Sequence, residues 1–315
     1  MTSYGMALRD RLGSDELLVC PGVHDPLTAA VADHVGFDTI YMTGYGTSLS
    51  KIGYPDGGFI TMPEMIENAK NIQERIDAPL IADADNGYGN ATNVIRTVRE
   101  YIKAGVGGIH IEDQTFPKRC GHTKGRQVIP KSEAVGKIAA ASDVRDERDE
   151  GFVIIARTDA RGTGDGSLAE GIERVNAFLD AGADIAFVEG PTDADELRRV
   201  GREVDGPLVY NFVGELGTSP YVDLTDLESW GFDLVFFPVV STLSTIANVH
   251  ADLERFADDP VGAMARVDDA FSDCPVGSLH EFSGFPEVLG WETEYLPAAD
   301  REKYEGSIGD ELDCE

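Results

Sequence analysis

Basic residues are scarce. Lysine and arginine together number 26 against 57 aspartates and glutamates, a formal charge of −31, and only 8 of the 26 are lysine. Such a surface repels phosphate backbones and anionic lipid headgroups over most of its area, which argues against nucleic-acid or membrane-surface binding. No apolar run reaches the roughly eighteen residues of a membrane span. The opening text, MTSYGMALRDRLGSDELL, mixes acids and bases where a secretory signal carries an unbroken apolar stretch. The chain is therefore expected to stay in the cytoplasm. Four cysteines, Cys20, Cys120, Cys274 and Cys314, are scattered without paired spacing, so neither a disulfide framework nor a zinc knuckle is expected. Excess acid with little lysine fits a surface that works in concentrated salt, where the Debye length falls to about 3 Å and self-repulsion is screened. A halophile cytosol is the expectation.

Of the 315 residues, 42% are hydrophobic, enough to bury a sizeable core in one large domain with appendages. Short β-rich runs alternate with helical periodicity. Strands are expected at 17–22, 38–43, 79–84, 108–112, 152–158, 185–189, 207–212 and 234–239. Between them, apolar residues recur at three and four spacing, as in Val94, Val98, Tyr101 and Ile102, or Ile172, Val175, Phe178 and Leu179, which marks amphipathic helices. Four helix exits carry similar text: HVGFDTI at 34–40, KAGVGGI at 103–109, DAGADIA at 180–186 and SWGFDLV at 229–235. In each, glycine at a left-handed cap ends a helix before a strand. Eight such units write a (β/α)₈ TIM barrel; a doubly wound open sheet lacks support because no glycine-rich turn follows the first strand. The barrel is expected over 1–258. Residues 259–315 are expected to form a C-terminal extension, helical at VGAMARVDDAFSD and then an irregular acidic tail.

Barrel chemistry sits at the carboxyl ends of the strands, and polar residues cluster there. The third run leads into Asp83-Ala84-Asp85-Asn86-Gly87, the fourth into Glu112-Asp113-Gln114, the fifth into Arg157-Thr158-Asp159, the sixth into Glu189 and the seventh into Asn211. Asp83 and Asp85 alternate, so an extended chain points both the same way. Beside Glu112 they make an oxygen-rich site suited to Mg²⁺; the competing reading is that aspartates near glycine form turns and caps. Lys118-Arg119-Cys120-Gly121-His122 sets cations and a histidine around a thiol. Neighbouring positive charge lowers a thiol pKa and suits it to proton transfer. Cys20, within an apolar strand, reads as an inert core residue.

These segments resemble the isocitrate lyase/phosphoenolpyruvate mutase superfamily over roughly residues 17 to 250. The matching text comprises Asp83-Ala84-Asp85 with Gly87-Tyr88-Gly89, Ile111-Glu112-Asp113-Gln114, Pro117 through His122, Ala156-Arg157-Thr158-Asp159-Ala160, Thr43-Gly44-Tyr45-Gly46 and Gly53-Tyr54-Pro55-Asp56. The resemblance implies a (β/α)₈ barrel, a homotetramer that exchanges C-terminal helices, and a Mg²⁺ ion, with Mn²⁺ as substitute. Asp85 would be its most direct ligand, with Asp56, Asp83 and Glu112 acting mostly through water. Thr43, Gly44 and Tyr45 would cradle a substrate carboxylate with Arg157, and Glu189 and Asn211 would complete the pocket. Residues 117–126 would form a mobile gate carrying Cys120, with Arg119, Gly121 and His122 at the substrate.

By the same resemblance the reaction is carbon–carbon cleavage of a small di- or tricarboxylate, with Cys120 protonating the carbanion and Glu112 or Tyr45 as base. A thiol in the gate argues for the lyase branch over the mutases. The short chain points first to isocitrate or 2-methylisocitrate, cleaved to succinate plus glyoxylate or pyruvate. Alternatives are 2,3-dimethylmalate cleavage, oxaloacetate decarboxylation or hydrolysis, and a carboxyphosphonoenolpyruvate mutase-like activity. Tyr45 and the run Asn211-Phe-Val-Gly-Glu-Leu-Gly-Thr-Ser-Pro220 depart from the methylisocitrate lyase pattern, which leaves Glu215 and Ser219 open as site residues.

Overall fold

A computed structural model describes residues 3–14, 16–214 and 217–297. Its elements run in order α1 (Tyr4–Leu12), β1 (Leu18–Val23), α2 (Pro26–Val35), β2 (Ile40–Met42), α3 (Gly44–Ile52), α4 (Met62–Arg75), β3 (Leu80–Asp83), α5 (Ala91–Ala104), β4 (Gly108–Glu112) and α6 (Lys131–Arg148). There follow β5 (Val153–Thr158), α7 (Leu168–Asp180), β6 (Ile185–Val188), α8 (Ala194–Glu203), β7 (Val209–Asn211), α9 (Leu224–Ser229), β8 (Leu234–Phe237), α10 (Val240–Asp258), α11 (Pro260–Ser272), α12 (Leu279–Ser283) and α13 (Phe285–Tyr295). Each strand falls within two residues of its expected span.

All pairings are parallel, in the order β6-β5-β4-β3-β2-β1-β8-β7. Strands pair with their neighbours in sequence, and a bridge from Ala186 to Leu208 links the two ends. This is the (β/α)₈ barrel, with no reversal of strand order of the kind a doubly wound sheet requires. Gly36, Gly105, Gly182 and Gly231, the glycines of the four repeated helix exits, all have positive φ, from 82° to 100°. A side chain there would be strained, which is why glycine recurs.

Two apolar layers follow from strand alternation. Side chains facing out pack under the helices, among them Val94, Val98 and Tyr101 of α5 and Val175 and Phe178 of α7. Those facing in fill the lumen: Cys20, Tyr41, Ile81, Val153, Ile155, Phe187, Val209 and Phe236. Tyr41 stacks on Phe236 with ring centroids 4.1 Å apart. Leu8 of α1 joins this lumen cluster, and Arg9 fastens the helix to Gly151 O at 2.9 Å, Phe152 O at 3.0 Å and Asp184 Oδ1 at 2.8 Å. The amino-terminal ends of the strands are thereby closed and the carboxyl ends left for chemistry.

The chain divides into two compact units, the second beginning at Ile246, within α10. The expectation of an irregular stretch after 273 is corrected for 279–283 and 285–295, which are helical as α12 and α13. A Ser278–Glu281 capping box starts α12, and Gly284, at φ 93°, ends it before Pro286 opens α13. Residues 298–315, with Cys314, lie outside the described residues.

Candidate active site

The acids at the strand ends converge. Asp83 closes β3, and its carboxylate accepts the Gly44 N–H at 3.1 Å through Oδ2 and the Asp85 N–H at 2.8 Å through Oδ1. Asp85 itself sits at φ 47°, a left-handed conformation that aspartate tolerates at some cost. Glu112 ends β4, and its N–H donates to Asp85 O at 2.9 Å. Asp83, Asp85 and Glu112 are all nearly inaccessible to solvent. Burial raises Glu112 well above the carboxylate range, against the pull of Arg157 and Lys118. Burial, with Asp83 and Asp56 alongside, pushes Asp85 up to about 6 despite Lys118. Asp83 goes the other way: burial would raise it, but the neighbouring His110 and Lys118 and the Asp85 amide together lower it.

Lys118 is the residue that sequence reasoning undervalued. Read there as one of two cations flanking a thiol, its ammonium pairs with Asp56 and, at 2.5 Å, with Asp85 Oδ1. The signal was alternation: along an extended loop Lys118 and Cys120 share a side, and Arg119 faces the other. Lys118 is buried, Arg119 exposed and Cys120 half-buried. The Arg119 side chain, expected at the substrate, is exposed, and its backbone donates N–H to Gln114 Oε1 at 3.0 Å and accepts from Gln114 Nε2 at 2.8 Å. The expected lowering of the Cys120 pKa is corrected. Burial is the largest influence and raises it, with Asp56 adding to the rise; the His122 backbone, Arg157 and Lys118 pull back less. At neutral pH Cys120 is a thiol, a proton donor.

Arg157, at the end of β5, is held by Asp159 through Nε at 2.9 Å and Nη2 at 3.1 Å, and it lies 3.4 Å from both Glu112 and Glu189. Its guanidinium rests over the Phe187 ring at 5.2 Å. Arg126, from the end of the 117–126 loop, pairs with the same Asp159 at 3.1 Å. Asp113, one residue past Glu112, accepts from Thr158 Oγ1 at 2.6 Å and from the Asp159 N–H at 3.0 Å, which braces this strand end. Asp159, Arg126 and Asp113 were not expected as site residues. Glu189 accepts from Asn211 Nδ2 at 3.0 Å, and its Oε1 lies 3.1 Å from His122 Nε2 without hydrogen-bond alignment. His122 Nδ1 accepts from the Thr218 N–H at 3.1 Å. Gly121 packs so closely that a Cβ would lie 2.2 Å from Arg157 Nη2. Thr43 caps α3, whose first turn, Gly44 and Tyr45, opens at the end of β2; Tyr45 is 39% exposed. Ser219 is buried and donates to Asn211 O at 2.8 Å, whereas Glu215 lies outside the described residues.

The residues suit a divalent cation in charge and donor chemistry. Asp56, Asp83, Asp85, Glu112, Asp159 and Glu189 outnumber the cations set among them, Lys118, Arg157 and Arg126, with Lys137 behind Glu112. Glu112 Oε1 is buried without a hydrogen-bond partner. No three His, Cys, Asp or Glu side chains among the described residues stand close enough to chelate an ion directly, so an ion here would take few protein oxygens and fill its shell with water and substrate, as Mg²⁺ does.

The phosphoenolpyruvate phosphomutase family matches residues 8–257. The chain belongs to the phosphoenolpyruvate mutase/isocitrate lyase superfamily. Among curated relatives, it is 47% identical to the 2,3-dimethylmalate lyase of Eubacterium barkeri over 90% of this chain and 93% of that one. It is 36% identical to the isocitrate lyase of Haloferax volcanii over 97% and 91%. The crystal structure of a 2,3-dimethylmalate lyase superposes with a TM-score of 0.85 at 33% identity, covering 98% of this chain and 99% of that one. Superfamily relatives are lyases and mutases acting on small carboxylates, generally Mg²⁺-dependent, and this chain is an enzyme of the superfamily.

Proposed function

We propose that the protein is a Mg²⁺-dependent carbon–carbon lyase whose substrate is a branched 2-hydroxy dicarboxylate of the 2,3-dimethylmalate kind. The observation that carries the lyase reading is Cys120: a thiol kept protonated by burial, on the loop that also brings Lys118 to Asp85. Asp85, supported by Asp56, Asp83 and Glu112, would hold the ion. The bound ion would act as a Lewis acid on the substrate's 2-hydroxyl and carboxylate and stabilise the charge of the departing enolate. The N-terminal turn of α3 offers the Tyr45 N–H and a positive dipole end to a substrate carboxylate, the Thr43 and Gly44 N–H groups being engaged by Val23 O and Asp83. Arg157 faces the developing negative charge, fixed in advance by Asp159 and Phe187.

The proton count closes with two side chains. Glu112, whose buried Oε1 has no hydrogen-bond partner among the described residues, takes the 2-hydroxyl proton; the C2–C3 bond breaks, and its electron pair goes to C3. Cys120 delivers its proton to C3. From 2,3-dimethylmalate the products are pyruvate and propionate. Tyr45, the other base considered, is the more exposed of the two.

Substrate class follows from charge. Arg157 and Arg126 are already matched by Asp159 and Glu189, so a third carboxylate entering beside Glu189 would have to share cations that are already paired. That favours a dicarboxylate over isocitrate or 2-methylisocitrate, as does the 47% identity to a dimethylmalate lyase. Isocitrate is the second reading, favoured by the near full-length similarity to the Haloferax volcanii enzyme.

The same reading takes 1–258 as the catalytic barrel and 259–315 as an extension that exchanges between subunits of a cytoplasmic homotetramer. Ile246, Val249, Leu253, Phe256, Val261 and Met264 are each at least 47% exposed, an apolar surface that a second copy would cover. The charge of −31 fits a protein working at high salt.

Product analysis tests the function. In molar KCl with Mg²⁺, 2,3-dimethylmalate is expected to yield pyruvate and propionate, to be lost with EDTA and restored by Mg²⁺. Turnover of isocitrate alone would move the assignment to the second reading, and turnover of oxaloacetate alone would remove Cys120 from its role.

A further inference from the structure

His110 lies in the barrel lumen with no exposed surface, against the rings of Tyr41, Phe187 and Phe236, and the chemistry above does not use it. A polar ring among apolar ones is costly unless its nitrogens are engaged. Only one is. Nε2 lies 2.8 Å from Tyr41 Oη and 3.3 Å from Asp83 Oδ1, whereas Nδ1 is buried with no hydrogen-bond partner among the described residues. This pattern selects a tautomer. With the proton on Nε2, the ring donates to Tyr41 Oη, with Asp83 Oδ1 close by, and the tyrosine in turn donates to Asp83 Oδ2 at 3.5 Å. The opposite tautomer would turn a lone pair on a carboxylate and bury an N–H with no acceptor.

The other bonds of Asp83 show what this donor controls. Its two oxygens accept the Gly44 and Asp85 amides, so one carboxylate ties the start of α3 to the turn bearing Asp85. The fit at Gly44 is close: a Cβ there would lie 2.2 Å from Oδ2. Rotating the Asp83 carboxylate would therefore disturb both segments together.

We propose that His110 is a positioning residue: by donating from Nε2 to Tyr41 Oη it turns the tyrosine proton onto Asp83 Oδ2, fixes the plane of that carboxylate and so sets the placement of the Gly44 and Asp85 segments relative to each other. Its functional consequence rests on the reading of those segments as the carboxylate cradle and the ion site. Ligand carboxylates are held in place by such outer hydrogen bonds, and losing one typically weakens metal binding by about 10–100-fold.

Two substitutions one methylene apart provide the test. His110→Gln carries an amide nitrogen to the place of Nε2, whereas His110→Asn carries it only to the place of Nδ1, out of reach of Asp83. In the full chain without added ion, His110→Asn is expected to speed hydrogen exchange at the Gly44 and Asp85 amides by at least about tenfold, through local opening. His110→Gln should exchange like the parent, and α8 should be unchanged in both. With Mn²⁺ alone as probe, the dissociation constant is expected to rise about 10–100-fold in His110→Asn and to recover in His110→Gln. Equal exchange in all three proteins overturns the proposal, and so does equal acceleration in the two variants, which would mark His110 as lumen filling only. A parent that binds no Mn²⁺ overturns the ion reading instead, and exchange at the two amides still decides the role of His110. If His110→Asn does not fold, Tyr41→Phe, which keeps the stacked ring and removes the hydroxyl facing Asp83, takes the same exchange test with faster exchange expected at both amides.

Discussion

Adding a single methyl group at Gly121 should cost most of the activity and little of the stability. The new Cβ would stand 2.2 Å from Arg157 Nη2 and 2.9 Å from Glu189 Cγ, against ordinary contact distances of about 3.5–4.0 Å, so something must move by more than about 1 Å. Arg157 is poorly placed to yield, since Asp159 holds it by two hydrogen bonds and Phe187 lies beneath it. The loop gives way instead and carries Cys120 with it. A displacement of that size at a reacting group costs about 10²-fold in rate, or about 2.7 kcal/mol of barrier. Because the loop surface around 123–125 is exposed, the thermal midpoint should fall by no more than a substitution outside the core causes. Turnover of Gly121→Ala and parent on the best substrate, beside circular dichroism melts, measures both quantities. Turnover within threefold of the parent would refute the reasoning, as would a loss explained by unfolding.

The raised pKa of Cys120 gives a pH prediction. Since burial favours the neutral thiol, the acid form persists as pH rises past the ordinary thiol value of 9.0, so the alkaline limb of kcat should lie above that pH, and iodoacetamide at pH 7 should label Cys120 more slowly than the exposed Cys274. A limb below 9 contradicts this. Asp159→Asn leaves Arg157 and Arg126 short of a shared buried counter-charge, at a cost of about 3–5 kcal/mol, which a denaturant titration should record as a lower midpoint with unchanged slope. Dialysis from molar KCl into dilute buffer should lower the melting temperature, because charge of −31 then repels itself unscreened; an unchanged melting curve opposes the salt argument.

The barrel was legible because its signals are local and repeated. Apolar runs such as Val153 to Ala156 and the positive-φ glycines after α2, α5, α7 and α9 act through immediate neighbours. Asp83, Asp85, Glu112, Arg157, Glu189 and Asn211 were legible because each ends or follows a strand, and closing the barrel brings strand ends together. Lys118 was undervalued because nearby charge was counted without asking which way alternate residues of a loop face. The thiol direction was missed for a related reason: burial, which sequence does not display, outweighs the cations beside Cys120. His110 reads as an ordinary strand residue until the lumen closes around it and Asp83 comes within reach. Helices α12 and α13 went unread because their segment is rich in Gly and Pro, which here serve as caps rather than breaks.

The central claim is that Cys120 protonates the carbanion left by carbon–carbon cleavage. Steady-state cleavage of 2,3-dimethylmalate by the parent and by Cys120→Ser, with Mg²⁺ in molar KCl, tests it most directly. The expected result is a fall in kcat of about 10²–10⁴-fold, the range of a lost general acid, with the melting temperature and the Mg²⁺ requirement unchanged. A Cys120→Ser protein that cleaves the substrate at a rate near the parent's would contradict the account.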